Sequence, residues 1–311
     1  MQTPFNLTGK TILITGASSG IGKATAIECA ALGANVIAVG RNEERLSSVL
    51  SEMQKATGQE HRMVIADLST DEGIAGLVAE MPSLDGVVSN AGIPGTSVPV
   101  KFLKNDALER ILNVNLKSHV KLARDLFKKK KLNKGGSYVF TASIGGVTNF
   151  SIGIADYGMS KAALNSFMKA CAVDFAPLRI RCNAVCPGMI RTPMTAPEGA
   201  ITESDYEKDV TDHYLLGRYG QPEEVARPIA FLLSDAASFI TLVKDSLGLN
   251  HAMCNALLER PIRKVALCGG AGDFLLDDAL AQGADAFITG EMHYHRYFGT
   301  EQRLQIVVIG H

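Results

Sequence analysis

Thr11-Ile12-Leu13-Ile14-Thr15-Gly16-Ala17-Ser18-Ser19-Gly20-Ile21-Gly22 decides how the first two-thirds of the chain folds. Thr11–Ile14 is a short apolar run, as expected of a strand buried on both faces of a parallel sheet. Gly16, Gly20 and Gly22 allow a tight turn and a close backbone approach to a pyrophosphate. Ser18, Ser19 and Ile21 lie in the same turn. A helical pattern follows from Lys23 to Leu32, and its N-terminal N–H groups suit an anion. The spacing GxxxGxG differs from the commoner GxGxxG, and a glycine turn alone says little. Strand, turn and helix arriving in that order give it meaning.

The same pattern repeats outward. Asn35–Val39 reads as a strand ending in Gly40-Arg41-Asn42. A dinucleotide site often has a carboxylate there for the ribose 2′-OH. Glycine and arginine stand here instead, and Arg41 suits a 2′-phosphate. A solvated loop arginine is the other reading. Arg62–Ala66 ends at Asp67-Leu68, within reach of an adenine edge, and Gly86–Ser89 ends at Asn90-Ala91-Gly92. A helix from about Asp106 to Lys130 carries Asn113-Val114-Asn115-Leu116. An asparagine on an apolar face is costly unless its amide is bonded, so a satisfied core asparagine is the plain reading of Asn115. Ser137–Thr141 ends at Ala142-Ser143, placing Ser143 at a strand's carboxyl end, where open α/β sheets bind ligands. Ile180–Val185 ends at Cys186-Pro187-Gly188. This alternation predicts an α/β, Rossmann-like, doubly wound parallel sheet.

Tyr157 and Lys161 are four residues apart, on one face of a helix. A free phenol titrates near pH ~10 and transfers protons poorly at neutrality. An adjacent ammonium favours the phenolate and brings that value down. A tyrosine tuned this way acts as general acid or base. On pattern alone, the pair also fits two residues sharing a wet helix face.

Composition narrows the function. Hydrophobic residues make up 46% of the 311, enough for a full core, and the length allows one large domain or two. The net charge is -1, which gives no footprint for nucleic acid or an anionic membrane. Lys128-Lys129-Lys130-Lys131 reads as a solvated helix end. The first residues do not read as a signal peptide, and no apolar run reaches ~18 residues. A cytoplasmic protein with no membrane partner is expected. The six cysteines sit singly in apolar segments and read as reduced core residues.

Together these stretches resemble the short-chain dehydrogenase/reductase family: TGASSGIG at 15–22, NAG at 90–92, NVNL at 113–116, Ser143, YGMSK at 157–161 and PGMIRTP at 187–193. The resemblance covers roughly residues 5 to 241. It implies hydride transfer between NADP(H), with NAD(H) less favoured, and a carbonyl or alcohol. It implies Tyr157 as general acid/base, with Lys161 lowering its pKa and binding the nicotinamide ribose. Ser143 would hold the substrate oxygen, and Asn115 would anchor a water for proton relay. Gly16, Ser18, Ser19, Gly20, Ile21, Gly22, Arg41, Asp67, Leu68, Asn90, Ala91 and Gly92 would line the cofactor. So would Pro187 and Gly188, while Ile190 and Thr192 would fix the carboxamide. Similarity to 3-oxoacyl carrier-protein reductases implies an acyl or small ketone substrate, and the family implies a homodimer or homotetramer. Met194–Leu216 would form the substrate lid. Ser143 and Tyr157 stand one position farther apart than is usual, which a loop insertion absorbs.

After Thr241 the family's last strand and Asp-Gly-Gly ending are missing, which suggests a domain at 1–241 and a foreign α/β tail at 242–311. Cys268-Gly269-Gly270-Ala271-Gly272, Gly283–Glu291 and the final Gly310-His311 resemble the carboxyl-terminal part of the dinuclear-metal family labelled GTP cyclohydrolase 1 type 2. The chain therefore looks like a chimera. Glu291, His293 and His295 alternate as on one strand face, but the partners a metal centre needs are missing, and no metal is expected. The open slot beside the sixth strand predicts that a tail strand, above all Lys264–Cys268, docks there or packs nearby, with a helix at Asp273–Gln282. Removing 242–311 would then destabilise the first domain. A second functional reading is a fusion with an impaired reductase half, acting as a binding or metal-associated protein.

Overall fold

The computed structural model describes residues 6–57, 59–148, 151–195, 217–234, 243–244 and, with short gaps, 252–309. The chain forms two compact units, Leu7–Leu233 and one built on Ser234–His311.

In the first unit, β1 (Thr11–Thr15), β2 (Asn35–Gly40), β3 (Arg62–Ile65), β4 (Leu84–Ser89), β5 (Leu132–Thr141) and β6 (Arg181–Val185) form one sheet. Its order is β3-β2-β1-β4-β5-β6, and every pairing is parallel. The intervening helices are α1 (Gly20–Ala31), α2 (Glu43–Thr57), α3 (Asp71–Glu80), α4 (Asn105–Leu112), α5 (Ser118–Lys128), α6 (Ala155–Phe175) and α7 (Pro222–Leu233). The doubly wound sheet expected from the sequence is thus present.

Both faces of β1 are covered, which is why Ile12, Leu13 and Ile14 are all apolar. Leu13 joins Ile37, Val39, Leu77, Leu122, Leu164 and Phe175 in the core on one side. Ile12 faces the other side: a Cβ added at Gly86 would stand 2.6 Å from Ile12 Cδ1 and 2.8 Å from Leu233 Cδ2. Here α1 packs on α7 through small buried residues such as Ala26, Ala30, Ala226 and Ala230. Each large side chain buried this way contributes ~1.5–3 kcal/mol. Strand order reverses between β1 and β4, so a crevice opens at their carboxyl ends.

Several expectations change. The continuous helix from Asp106 to Lys130 is instead α4 and α5 joined by a π-helical turn, Asn113–Lys117. A single π turn carries one surplus residue and commonly marks a functional site. Here it carries Asn115. The sixth-strand slot is also not filled as expected, because among the described residues no strand pairs with the outer edge of β6. Residues 196–216, most of the expected lid, and 235–242, where the family resemblance ends, lie outside the described residues.

The second unit has its own sheet, ordered β7-β10-β9-β8, from β7 (Met253–Cys254), β8 (Val265–Ala271), β9 (Ala286–Glu291) and β10 (Gln305–Val308). The run expected beside β6 pairs in parallel with β9 instead: Ala266 lies opposite Phe287, and Leu267 opposite Ile288. The apolar face of β9 and β10 is matched to Leu276 and Ala279 of α8 (Leu276–Ala281), and together they form a local core. That core satisfies the strand without any foreign edge. Glu291 ends β9, while His295 lies in a 3₁₀ segment, Tyr294–Tyr297, so the three polar residues do not share a strand face. His293 instead pairs with Asp273. Among the described residues, no group of three or more His, Cys, Asp or Glu side chains could hold a metal ion. No described helix is long and apolar enough to cross a membrane. Cys29, Cys171 and Cys182 are buried, but Cys254 is exposed, because β7 is a short edge strand, and Cys186 and Cys268 are partly exposed.

Candidate active site

A cleft of roughly 390 Å³ lies at the carboxyl ends of β1, β2, β4 and β5. At one end sits the turn into α1. Gly16 (φ 66°) and Gly20 (φ 54°) adopt left-handed backbone that favours glycine. A Cβ at Gly16 would stand 2.9 Å from Ala91 Cα, and one at Gly22 would stand 2.1 Å from the Gly16 carbonyl oxygen. The glycines therefore let β1, α1 and the Asn90–Gly92 turn meet. The first turn of α1 has no acidic residue. Its positive end and free N–H groups are available to an anion.

The Asn90–Gly92 turn is tied to β1 by side chains. Thr15 Oγ1 accepts from the N–H groups of Asn90 (2.9 Å) and Ala91 (3.1 Å), and Asn90 Nδ2 donates to the Thr15 carbonyl (3.2 Å). Underneath lies His119, fully buried between the Ser89 hydroxyl (2.6 Å from Nδ1) and the Ala91 carbonyl (2.7 Å from Nε2). A carbonyl only accepts, so Nε2 carries the proton and Nδ1 accepts from Ser89. Burial, reinforced by the charge of Lys161, drives the His119 pKa down to about 3. This imidazole is a neutral strut.

Arg41, Asn42 and Arg45 face Asp67, Leu68 and Ser69 across the next part of the cleft. Ser69 donates to Asp67 Oδ1 from its N–H (2.9 Å) and its hydroxyl (2.8 Å). These bonds, with Arg41 nearby, hold the Asp67 carboxyl below its usual range. Arg45 is not singled out by the sequence reading. Its signal is the cap: Asn42 Oδ1 accepts from the Arg45 N–H at 2.8 Å, which starts α2 beside the cleft.

Ser143, Tyr157 and Lys161 also line the cleft, as do Pro187, Gly188, Ile190 and Thr192. Met194 and Thr195, the first residues of the segment expected as a lid, join them. Ser143 is extended, and its Oγ accepts from the Gly145 N–H at 3.1 Å. Lys161 Nζ donates to the Thr141 carbonyl at 2.8 Å and lies 5.8 Å from the Tyr157 ring centroid. Burial brings Lys161 down to about 8. Tyr157 does not follow expectation. Burial pushes its phenol up, and the opposing pull comes from the Ser143 hydroxyl rather than from Lys161. Lys161 is turned to a backbone carbonyl, and its own charge is disfavoured by desolvation.

Two expected residues, Gly22 and Asn115, do not line the cleft. Gly22 supports the turn from behind. Asn115 is fully buried. Its Oδ1 accepts from the Ile93 N–H (2.8 Å), and its Nδ2 donates to the Ile93 carbonyl (2.9 Å). It therefore anchors the segment that follows Gly92.

Known proteins share this architecture. The family described as Enoyl-(Acyl carrier protein) reductase matches residues 16–243. A 3-oxoacyl-(acyl-carrier-protein) reductase of Rickettsia felis is 37% identical over 237 residues, covering 76% of this chain and 94% of its own. A 3beta-hydroxysteroid dehydrogenase of Mediterraneibacter gnavus is 36% identical over 253 residues, covering 75% and 91%. A solved short chain dehydrogenase from Burkholderia cenocepacia, in complex with NADP, is 29% identical with a TM-score of 0.67, covering 74% of this chain and 92% of that one. The chain belongs to the short-chain dehydrogenase/reductase family of oxidoreductases.

Proposed function

We propose that the chain is an NADP(H)-dependent reductase that interconverts a ketone and an alcohol. The observation that carries this is one cleft with two kinds of wall. One end offers a bare helix N-terminus and two arginines; the other offers two hydroxyls beside a buried ammonium. The first end fits a dinucleotide phosphate and a 2′-phosphate, and glycines leave room where a Cβ would clash. The NADP complex of the Burkholderia relative supports the cofactor assignment.

When bound, the nicotinamide supplies or accepts the hydride. The protein's own part is to manage the proton. In the reducing direction, the Tyr157 O–H donates to the ketone oxygen and transfers its proton as that oxygen gains charge. The Ser143 hydroxyl donates to the same oxygen and orients it. Lys161, held by the Thr141 carbonyl at 2.8 Å, would position the nicotinamide ribose. Asn115 holds the adjoining backbone in place. The names of the Rickettsia and Mediterraneibacter relatives support a 3-oxoacyl thioester first and a cyclic ketone second. Homodimer or homotetramer formation is part of the same proposal. For the second unit, its resemblance to the GTP cyclohydrolase 1 type 2 family supports a separate origin and a chimeric chain.

The test is NADPH consumption with a 3-oxoacyl thioester. Tyr157→Phe should lower turnover by ~10²–10⁴-fold and leave NADPH binding nearly unchanged, because the ring is kept. Wild-type-like turnover in that variant would remove Tyr157 from the mechanism.

A further inference from the structure

We infer that Asp156 is a positioning residue, whose carboxylate locks the Ile93–Ser97 strap to the first turn of α6 and thereby sets where Tyr157 stands; this rests on the role proposed for Tyr157 above. Asp156 is only 1% exposed. Its Oδ2 accepts from the Thr96 N–H (2.9 Å) and the Thr96 hydroxyl (2.7 Å). Its Oδ1 accepts from the N–H of Tyr157 itself (2.7 Å). All three partners donate, so the position requires acceptors on both oxygens. Burial pushes the carboxyl up, but those bonds outweigh it and hold the group below its usual range.

The surroundings are tight. A Cβ at Gly95 would stand 2.7 Å from Asp156 Oδ1 and 2.9 Å from Tyr157 Cβ. One at Gly153 would stand 2.9 Å from the Ser97 carbonyl carbon. Ser97 has φ 54°, a left-handed conformation that costs a non-glycine residue ~1–3 kcal/mol and persists only where contacts fix it. Asn115 anchors the strap at Ile93, and Asp156 anchors it at Thr96. Ile93 and Tyr157 line the cleft; Asp156 and Thr96 do not. Asp156 therefore acts through the residues it holds.

An amide at this site would turn an N–H toward another donor whichever way it faced. Asp156→Asn should therefore lower kcat for ketone reduction by about 10²-fold through misplacement of Tyr157, with NADPH affinity within about 2-fold of wild type and a lower melting temperature from the unpaired buried donors. Thr96→Val keeps one of the two Thr96 bonds. Its effect should be smaller, and it should vanish in the Asp156→Asn background, because the two residues act as one unit. Hydrogen exchange reads the lock without turnover. In Asp156→Asn, the amides of Thr96 and Tyr157 should lose protection while those of β1 and β4 keep theirs. Unchanged exchange at both amides would overturn the inference. So would normal kcat despite lost protection, or a loss of NADPH affinity matching the loss of kcat. A wild-type chain that binds NADPH but reduces no ketone would instead sink the reductase reading, and the exchange data would still decide the lock.

Discussion

Two residues that stand out only in the folded chain govern measurable properties. Arg45 stands in the cleft with Arg41, so two cations line the part of it proposed to take a 2′-phosphate. Arg41→Ala and Arg45→Ala should each weaken NADPH far more than NADH, by ~1.5–3 kcal/mol for a lost charge-assisted bond. Titration of both cofactors against each variant checks this, and equal losses would remove the 2′-phosphate assignment. His119 concerns stability. Its pKa is about 3 when folded, against an ordinary value of 6.5. Between those values the unfolded chain binds the extra proton, so stability is full above pH 6.5 and falls as pH drops toward 3. His119→Gln should flatten that acid slope by up to about 1.4 kcal/mol per pH unit, measured by thermal melts across the window. That Tyr157, Lys161 and Ser143 would line one cleft was legible, because the four-residue helical spacing of the first two and the strand-end placement of Ser143 aim them there. His119 was not, since a histidine within an amphipathic helix looks the same whether it faces water or a buried carbonyl.

At the level of elements, β1 and α1 were readable from local pattern, because the glycines and the double-faced apolar run each have one structural use. The π turn at Asn113–Lys117 was not. Its apolar spacing continues smoothly into α5, and the surplus residue appears only when Asn115 must reach the Ile93 backbone. Deleting Val114 should remove the surplus residue, return the segment to α-helical register and draw Asn115 away from the Ile93 backbone. Asn115 would then leave Ile93 with an unpaired N–H and carbonyl, at ~1–3 kcal/mol each. Helical content by circular dichroism should hold while the melting temperature and NADPH binding fall together. Retained NADPH binding would show that the strap does not depend on this turn.

For the whole molecule, strand pairing was the least legible property, because β8 finds its partner by tertiary fit rather than by sequence neighbourhood. Lys264–Cys268 is apolar enough for either sheet, and the local core with Leu276, Phe287 and Ile306 decided between them. Each unit has its own core, so denaturant should unfold the chain in two cooperative transitions, only one of them shifted by NADPH. A single transition monitored by fluorescence and circular dichroism alike would contradict this. The contiguity of Leu7–Leu233 also matters during synthesis. At roughly 5–20 residues per second, a ribosome spends several seconds on the second unit after the last residue of the first has been joined. A nascent chain paused in that interval already contains every strand of the six-stranded sheet, and should be protected from protease by NADPH before its second sheet exists.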